Sequence, residues 1–378
     1  GLLTSLFRLA EFCAFFSSSK ILDYLNELKQ YKSHFSLQQQ NRLKELEVVS
    51  LIVKGRLKEA ELALERVEDK DAYKELKANI LFGQGKFGQI EMLLEEIRFS
   101  SFADYLIYHT FIIPALFYLY TGQKYSAQRY IWHEVTIKNG YLKELGQYYL
   151  TTSYNLLGDY KVDYCREQYL NSLTKVSQNS IGISWYKIAI FRELIFWEIY
   201  YGGSEQALEY ANQGLMTAIK KKDILGQGLM LALKGVCYYS RDELKKAEES
   251  LSQALDKLIK SGAELHIFLT LMLRGKVFYT QDKIEEFKVD IKEAIKIFKQ
   301  NKYHKFALDK ISLLVKNPNL LVNIFDYAKS EGIETSYIKN LFQKKKLEKS
   351  EHIPNYMLRI RSFGKLEVFR GQQKVKNK

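Results

Sequence analysis

The residues that come closest to a phosphate-binding loop are Gly83–Gly88, which read GQGKFG. Glycines at this spacing are typical of dinucleotide-binding turns, where the backbone approaches a pyrophosphate at the start of a helix. That fingerprint needs a strand before the loop, but the residues before Gly83 have helical periodicity. We therefore interpret Gly83–Gly88 as a turn between two helices. No Walker-type loop occurs elsewhere in the sequence.

Patterns for metal binding and nucleophilic catalysis are also missing from the sequence. His133-Glu134 lacks the second histidine of the HExxH zinc motif, and no serine lies in a GxSxG elbow. The histidines, at positions 34, 109, 133, 266, 304 and 352, do not cluster. Cys13, Cys165 and Cys237 form no CxxC pair, so they predict neither a zinc site nor a disulfide framework. We expect no catalysis, no metal and no cofactor, in a reducing cytoplasm.

The pattern that does recur is a repeat of 40 residues. Leu231, Gly235, Tyr238, Ala247, Leu251 and Ala254 return as Leu271, Gly275, Phe278, Phe287, Ile291 and Ala294. A fixed period of this length with helical spacing inside it predicts a solenoid of helix pairs. The small residues Gly235 and Gly275 on the first helices should let the second helices approach closely. The order of leucine, glycine, aromatic residue and two small residues resembles the tetratricopeptide (TPR) repeat.

The repeat can be followed upstream through its glycine-containing turns. The positions at which each second helix should dock are Ala60, Ile90, Ala127, Asp163, Ala207, Ala247 and Phe287. Their spacing drifts, which is typical of degenerate repeats. The predicted fold is therefore all-α, a right-handed solenoid of about eight TPR-like helix pairs over residues 1–315. Capping helices should follow over residues 316–347.

Net charge favours nucleic acid as a partner of the C-terminal residues, and hydropathy disfavours insertion into a membrane. The chain of 378 residues has a net charge of +13, and residues 339–378 contain twelve Lys and Arg against three Glu. This asymmetry suggests contact with nucleic acid near the C-terminus. The best candidate for a membrane span, Phe102–Gly122, contains Asp104, His109 and Pro114, so we interpret it as a buried solenoid helix instead. We expect no signal peptide, and Gly1 suggests an excised fragment.

The first helices of the pairs should line a concave groove. Projecting the repeat register places aromatic, basic and amide side chains on its wall, which would suit a peptide, a protein segment or a small-molecule effector. The alternative is that many of these aromatic residues pack against neighbouring helices. The predicted groove residues are Tyr148, Thr152, Asn155, Arg192, Phe196, Tyr200, Val236, Tyr239, Met272, Lys276 and Tyr279.

The periodicity changes near the C-terminus. A charged linker at residues 348–355 precedes residues 356–378, in which Leu358 and Ile360 alternate with Arg359 and Arg361. This alternation predicts a strand, and a turn at Gly364 should lead into a second strand, LEVFR. The tail therefore predicts a short β-hairpin that is the start of a larger sheet.

Residues Tyr356–Val375 resemble the opening strands of the winged-helix DNA-binding domain in bacterial regulators of the antibiotic-regulatory-protein type. The matching positions are Leu358, Ile360, Phe363, Gly364, Leu366, Glu367, Val368, Arg370, Gly371 and Val375. Just upstream, Gly332, Ile333 and Tyr337 resemble the end of the sensor region in activators of the maltose-regulon activator type. In such regulators an ATP-binding domain often precedes the solenoid.

Together these resemblances imply the ligand-sensing or protein-interaction module of a bacterial transcriptional regulator. They imply that DNA is contacted only through a domain beyond residue 378, because the base-reading helix of such a domain lies further downstream. The alternative is a scaffold that binds a partner protein or peptide and has no transcriptional role. The sequence does not indicate an oligomeric state, and we expect no association with a membrane.

Overall fold

A computed structural model describes residues 2–15, 20–96, 117–118, 162–178, 184–201, 203–305, 318–345, 358–361, 367–370 and 373–374. The chain divides into two compact units, Gly1–Ile324 and Phe325–Lys378. The helices are α1 Leu2–Phe15, α2 Ile21–Gln30, α3 Leu37–Val53, α4 Leu57–Leu64, α5 Lys70–Gln84, α6 Phe87–Glu96, α7 Val162–Gln178, α8 Ser184–Tyr201, α9 Ser204–Lys221, α10 Ile224–Ser240, α11 Leu244–Ser261, α12 Glu264–Thr280, α13 Ile284–Gln300, α14 Pro318–Ser330 and α15 Thr335–Lys345. Single 3₁₀ turns lie at Lys32–His34 and Tyr303–Lys305. The strands are β1 Leu358–Arg361, β2 Glu367–Arg370 and β3 Gln373–Lys374.

Consecutive helices of the first unit pack as pairs, and the best repeats of the sequence form the most extensive of them, α10 with α11 and α12 with α13. The helices start and stop at local signals. Ser36 and Gln39 form a reciprocal capping box at α3, and the Asp69 carboxylate caps α5. Gly262 ends α11 in the left-handed conformation with φ of 85°. The predicted solenoid of helix pairs is confirmed.

The repeated glycines allow the two helices of a pair to approach closely. A Cβ at Gly235 would lie 2.6 Å from Leu251 Cγ, and one at Gly275 would lie 2.8 Å from Ile291 Cδ1. Leu251 and Ile291 are 40 residues apart and equivalent in the repeat, so the same contact is made twice. The predicted role of Gly235 and Gly275 is therefore confirmed. The small residues on the second helices, Ala207, Ala211, Ala247, Ala254 and Ala294, are fully buried.

A buried ion pair joins α12 to α13. The Arg274 guanidinium donates from Nε and Nη2 to the two carboxylate oxygens of Asp290, at 2.7 Å each. The Arg274 Nη1 atom donates to Ser252 Oγ at 3.0 Å, so all three guanidinium nitrogens donate hydrogen bonds. Burial raises the pKa of Asp290, and the Arg274 charge opposes that rise. A buried carboxylate without such a partner would destabilise the fold. Since Ser252, Arg274 and Asp290 lie on α11, α12 and α13, these hydrogen bonds connect three helices.

Turns of the early helix pairs contact residues about 170 to 220 positions further along the chain. The Ile224 N–H donates to the Lys54 carbonyl oxygen at 2.9 Å, and Ser261 Oγ donates to the Gly55 carbonyl oxygen at 2.6 Å. Just after the α5–α6 turn, the Phe87 ring packs against the Tyr303 ring, with the ring centroids 6.3 Å apart. The α3–α4 turn therefore contacts the start of α10 and the end of α11, and the start of α6 contacts the 3₁₀ turn after α13. A Cβ at Gly85 would also collide with Leu265, so the α5–α6 turn is packed on the start of α12 within the same compact unit.

Asp223 lies at this junction and carries a pH-dependent part of the stability. Its carboxylate is fully buried and accepts the Gly226 N–H at 2.8 Å as the N-cap of α10. Burial raises the pKa of Asp223 to about 6. This value exceeds the pKa of about 3.9 in an unfolded chain. The contribution of protonated Asp223 to the free energy of unfolding is therefore complete below pH 4 and is lost as the pH rises through 6.

The substitution Asp223→Asn keeps an N-cap acceptor and removes this titration. At pH 7 we expect the variant to be more stable than the parent by about 2–3 kcal/mol, at about 1.4 kcal/mol for each unit of pKa shift. At pH 4 the two proteins should be equally stable. Urea unfolding at pH 4, 5, 6 and 7 measures the difference, and a difference that does not vary with pH would contradict the assignment.

The second unit contains the end of α14, the helix α15 and the strands. Gly332 has a φ of 75°, and the Ile333 N–H donates back to the Ala328 carbonyl oxygen at 2.8 Å, which closes the helix end. β1 and β2 pair antiparallel in the register Leu358↔Arg370 to Arg361↔Glu367, at the positions where alternation predicts strands. β3 adds a third strand beside β2, which the sequence analysis did not predict.

Candidate functional site

The first helices of successive pairs lie side by side and form the wall on which the groove was predicted. α8 contacts α10, and α10 contacts α12, although a second helix separates each of them along the chain. α8 carries Arg192 and Phe196, α10 carries Val236 and Tyr239, and α12 carries Met272, Lys276 and Tyr279. The fold therefore places these seven predicted residues on three adjacent helices.

Burial divides the predicted residues into two classes. Phe196, Val236 and Met272 are buried, with Met272 fully enclosed, so their side chains pack between helices and cannot present a surface to a ligand. The prediction of an exposed position is wrong for these three residues because the 40-residue repeat assigns a residue to a helix but does not show how much of its side chain the neighbouring helix covers. Tyr239, Lys276 and Tyr279 are half-buried and keep accessible atoms, whereas the Arg192 side chain is only 13% exposed.

The remaining predicted residues cannot be placed in this wall. Tyr148, Thr152 and Asn155 lie outside the described residues. The backbone of Tyr200 belongs to α8, but its side chain is outside the described part of the chain. The groove over the full predicted set therefore stays a prediction.

Lysines lie over tyrosine rings near the C-terminal ends of α10 and α12. Lys276 Nζ lies 5.9 Å from the Tyr279 ring centroid, and Lys234 Nζ lies 5.8 Å from that of Tyr238. The Tyr279 ring also packs on Phe287 of the second helix, at 5.2 Å between centroids. Each of these sites combines a half-buried aromatic face with an adjacent cation, which suits an apolar segment that carries a carboxylate.

Arg192 is part of a charged group in the same wall. Its Nη2 donates to Glu193 Oε1 at 2.9 Å, and both side chains are largely buried. His266 of α12 lies close enough to Arg192 for the guanidinium charge to act on its imidazole. Burial is the main cause that lowers the pKa of His266 to about 3, and the Arg192 charge lowers it further. Among the residues that the structure describes, none forms a hydrogen bond with the His266 Nδ1 atom. No sequence pattern indicates His266 as a site residue, because a lone histidine inside an apolar helix gives no signal of its own.

A phosphate-binding loop, a metal site and a membrane span can each be compared with the residues that the structure describes. Gly83–Gly88 spans the end of α5 and the start of α6, so a helix and not a strand precedes it, as predicted. In the part of the chain that the structure describes, no group of His, Cys, Asp and Glu is placed to hold a metal ion. Of the helices within the described residues, none combines the length and the apolar character needed to cross a membrane.

Comparison with known proteins bears on the fold. No protein-family model and no curated protein matches the chain. A solved structure of Rap protein complexed with competence and sporulation factor is 13% identical, with a TM-score of 0.52, over 82% of this chain and 94% of that chain. Although the identity is low, this likeness confirms the predicted all-α solenoid of TPR-like pairs.

Two further solved structures are less similar. Aspartyl phosphate phosphatase F from Bacillus subtilis is 13% identical with a TM-score of 0.44, over 83% of this chain and 91% of that chain. A signal transduction ATPase with numerous domains, which has a tetratricopeptide repeat sensor and comes from Pyrococcus horikoshii, is 16% identical with a TM-score of 0.44, over 88% of this chain and 53% of that chain. These scores are too low to support an argument.

Proposed function

We propose that this chain is an interaction module that holds a segment of a partner protein, or a peptide effector, against the wall formed by α8, α10 and α12. The observation that carries the proposal is the row of half-buried Tyr239, Lys276 and Tyr279 on helices that lie side by side. Tyrosine supplies a large rigid contact face, and the adjacent ammonium pairs with a carboxylate. The fold likeness to a Rap protein that was solved in complex with competence and sporulation factor supports a binding role.

The finer proposal is that this module senses an effector for a transcriptional regulator. Two features support it: the resemblance of Tyr356–Val375 to the start of a winged-helix domain, and the antiparallel pairing of β1 with β2 in that segment. An effector in the groove would then bias the arrangement of the DNA-binding domain. A reading frame that continues past Lys378 into a helix-turn-helix would support this role, and a natural stop there would exclude it.

A scaffold without transcriptional function is the alternative. It predicts the same peptide-binding wall, but no response to a small molecule. A thermal-shift screen against sugars, nucleotides and peptides separates the two, because a ligand that binds only the folded state raises Tm. Stabilisation by a sugar or nucleotide would favour the sensor, whereas stabilisation by peptides alone would favour the scaffold.

The wall itself can be tested with a pair of variants that remove the same charge. We expect Lys276→Gln to weaken the binding of the best peptide from an array by about tenfold, which corresponds to about 1.4 kcal/mol. Lys296→Gln on α13 removes an exposed lysine that pairs with Glu293, and should leave binding unchanged. Fluorescence anisotropy measures both affinities. Equal weakening in the two variants would show only a general effect of charge and would contradict the proposed wall.

A further inference from the structure

Five lysines without an acidic partner lie together in the first unit, and we call them the lysine cluster. None of the five makes an ion pair or a side-chain hydrogen bond with any residue that the structure describes. Three are consecutive at the end of α9, one is in the first turn of α8, and one ends α3. The members of the lysine cluster are Lys54, Lys187, Lys220, Lys221 and Lys222.

Backbone contacts bring these segments together. The hydrogen bond from the Ile224 N–H to the Lys54 carbonyl oxygen, at 2.9 Å, joins the end of α3 to the residues that follow α9. A Cβ at Gly226 would lie 2.5 Å from Ile188 Cδ1, so the start of α10 is packed on the first turn of α8, next to Lys187. Three segments from distant parts of the sequence therefore meet at the start of α10.

The lysines are close enough to repel one another. Burial lowers the pKa of Lys54, and the charges of Lys222 and Arg56 lower it further. Burial also lowers the pKa of Lys187, to which Lys221 and Lys220 contribute. An anion from outside the chain would offset this repulsion and complete the charge balance.

The carboxylates near the cluster do not supply that balance. Asp23 raises the pKa of Lys54 but is not within ion-pair distance of it. Glu59 is paired with Arg56. Asp223 is fully buried, and its carboxylate accepts the N–H of Gly226.

The helix dipole explains only part of the arrangement. Cations are favourable in the last turn of a helix, which accounts for one or two of the lysines that end α9. Lys187 lies in the first turn of α8, where the dipole disfavours a cation. At the equivalent end of α11, Lys260 is paired with Asp256 at 2.9 Å, so the next repeat pairs its terminal lysine with a carboxylate. The lysine cluster therefore departs from the pattern of its own repeat.

We propose that the lysine cluster binds a phosphoryl dianion, either inorganic phosphate or a phosphate group carried by a larger molecule. Each ammonium is a point charge with three donors, and several of them can converge on one compact dianion. Lys54 as a whole residue is only 5% exposed, so the site is partly enclosed and not a flat strip of surface. A nucleic-acid backbone would instead need exposed cations spaced along its path.

Binding there would link early and late helix pairs. Lys54 belongs to the α3–α4 turn, whereas Lys220–Lys222 belong to the end of α9. A dianion between them replaces repulsion with attraction across the junction that the Ile224-to-Lys54 hydrogen bond already forms. Phosphate should therefore stabilise the folded unit as a ligand of the native state.

The test uses inorganic phosphate and the whole chain, with sodium chloride at matched ionic strength as reference. Phosphate should raise Tm with saturation, and chloride should not. The variant Lys220→Gln with Lys222→Gln, at two exposed positions, should bind phosphate at least tenfold more weakly in calorimetry. The same variant should have a higher Tm than the parent in phosphate-free buffer, because repulsion is relieved. This second readout separates lost binding from damaged folding.

The control variant is Lys260→Gln with Lys296→Gln, which removes the same net charge from exposed lysines that have acidic partners. It should keep the affinity of the parent for phosphate. Equal weakening in both variants, or a Tm that does not respond to phosphate, would overturn the proposal. Phosphoserine and a 20-base-pair duplex distinguish the source of the phosphate. Tighter binding of the duplex with a steep salt dependence, lost only in the cluster variant, would overturn the compact site in favour of a polyanion surface.

Discussion

Arg274→Ala is expected to lower the free energy of unfolding by about 3–5 kcal/mol, which is the usual cost of leaving a buried charge without its partner. The Asp290 side chain is 3% exposed and receives two 2.7 Å hydrogen bonds from Arg274. Without the guanidinium, the carboxylate must ionise in a site that already raises its pKa. The variant also loses the hydrogen bond to Ser252 and the stacking of the guanidinium over the Phe278 ring.

The pH dependence gives this prediction a distinctive sign. A carboxylate whose folded-state pKa lies above its unfolded value contributes stability at low pH and loses it as the pH rises through the folded value. Loss of Arg274 removes the charge that opposes the rise. The destabilisation should therefore be larger at pH 7 than at pH 4, as measured by urea unfolding.

The control for this experiment is Lys296→Ala on α13. Lys296 and Glu293 form an ion pair in which both side chains are about half exposed, so its loss should change stability by no more than about 1 kcal/mol. If the two substitutions cost the same amount at neutral pH, the Arg274–Asp290 pair would not be the connection between α12 and α13 that we describe.

Gly85→Ala is expected to lower the free energy of unfolding by about 2–5 kcal/mol. Gly85 has a φ of 80°, and a side chain in the left-handed region costs about 1–2 kcal/mol. A Cβ there would also collide with Leu265 and lie 3.0 Å from Tyr303 Oη, and overpacking of this kind costs about 1–3 kcal/mol more. The substitution therefore tests the contact between the α5–α6 turn and the start of α12.

Gly88→Ala provides a matched comparison three residues away. Gly88 lies in the first turn of α6, and a Cβ there would meet nothing within 4 Å. Alanine favours a helix over glycine by up to about 1 kcal/mol, so this variant should be as stable as the parent or slightly more stable. Thermal unfolding compares the two variants, and a loss of stability shared equally by both would exclude the proposed turn contact.

Much of the candidate wall could be predicted from the sequence, but its accessible surface could not. The repeat register correctly assigns Arg192, Tyr239 and Lys276 to the first helices of their pairs. It also assigns Met272, which is fully buried. Helical positions four apart, such as Met272 and Lys276, lie on nearly the same face, so the neighbouring helix decides which of them reaches solvent.

The sequence by itself determined the helix pairs, because their contacts are local and repeat. Gly235 and Gly275 meet Leu251 and Ile291 at a fixed separation along the chain, so spacing alone identifies the contact. Only the tertiary structure decided that Ser261 donates to Gly55, 206 positions earlier in the chain. The position of a distant pair depends on small rotations that accumulate from each pair to the next, and no local pattern encodes their sum. The lysine cluster depends on the same accumulated geometry, which is why five unremarkable lysines in the sequence become one concentrated charge in the fold.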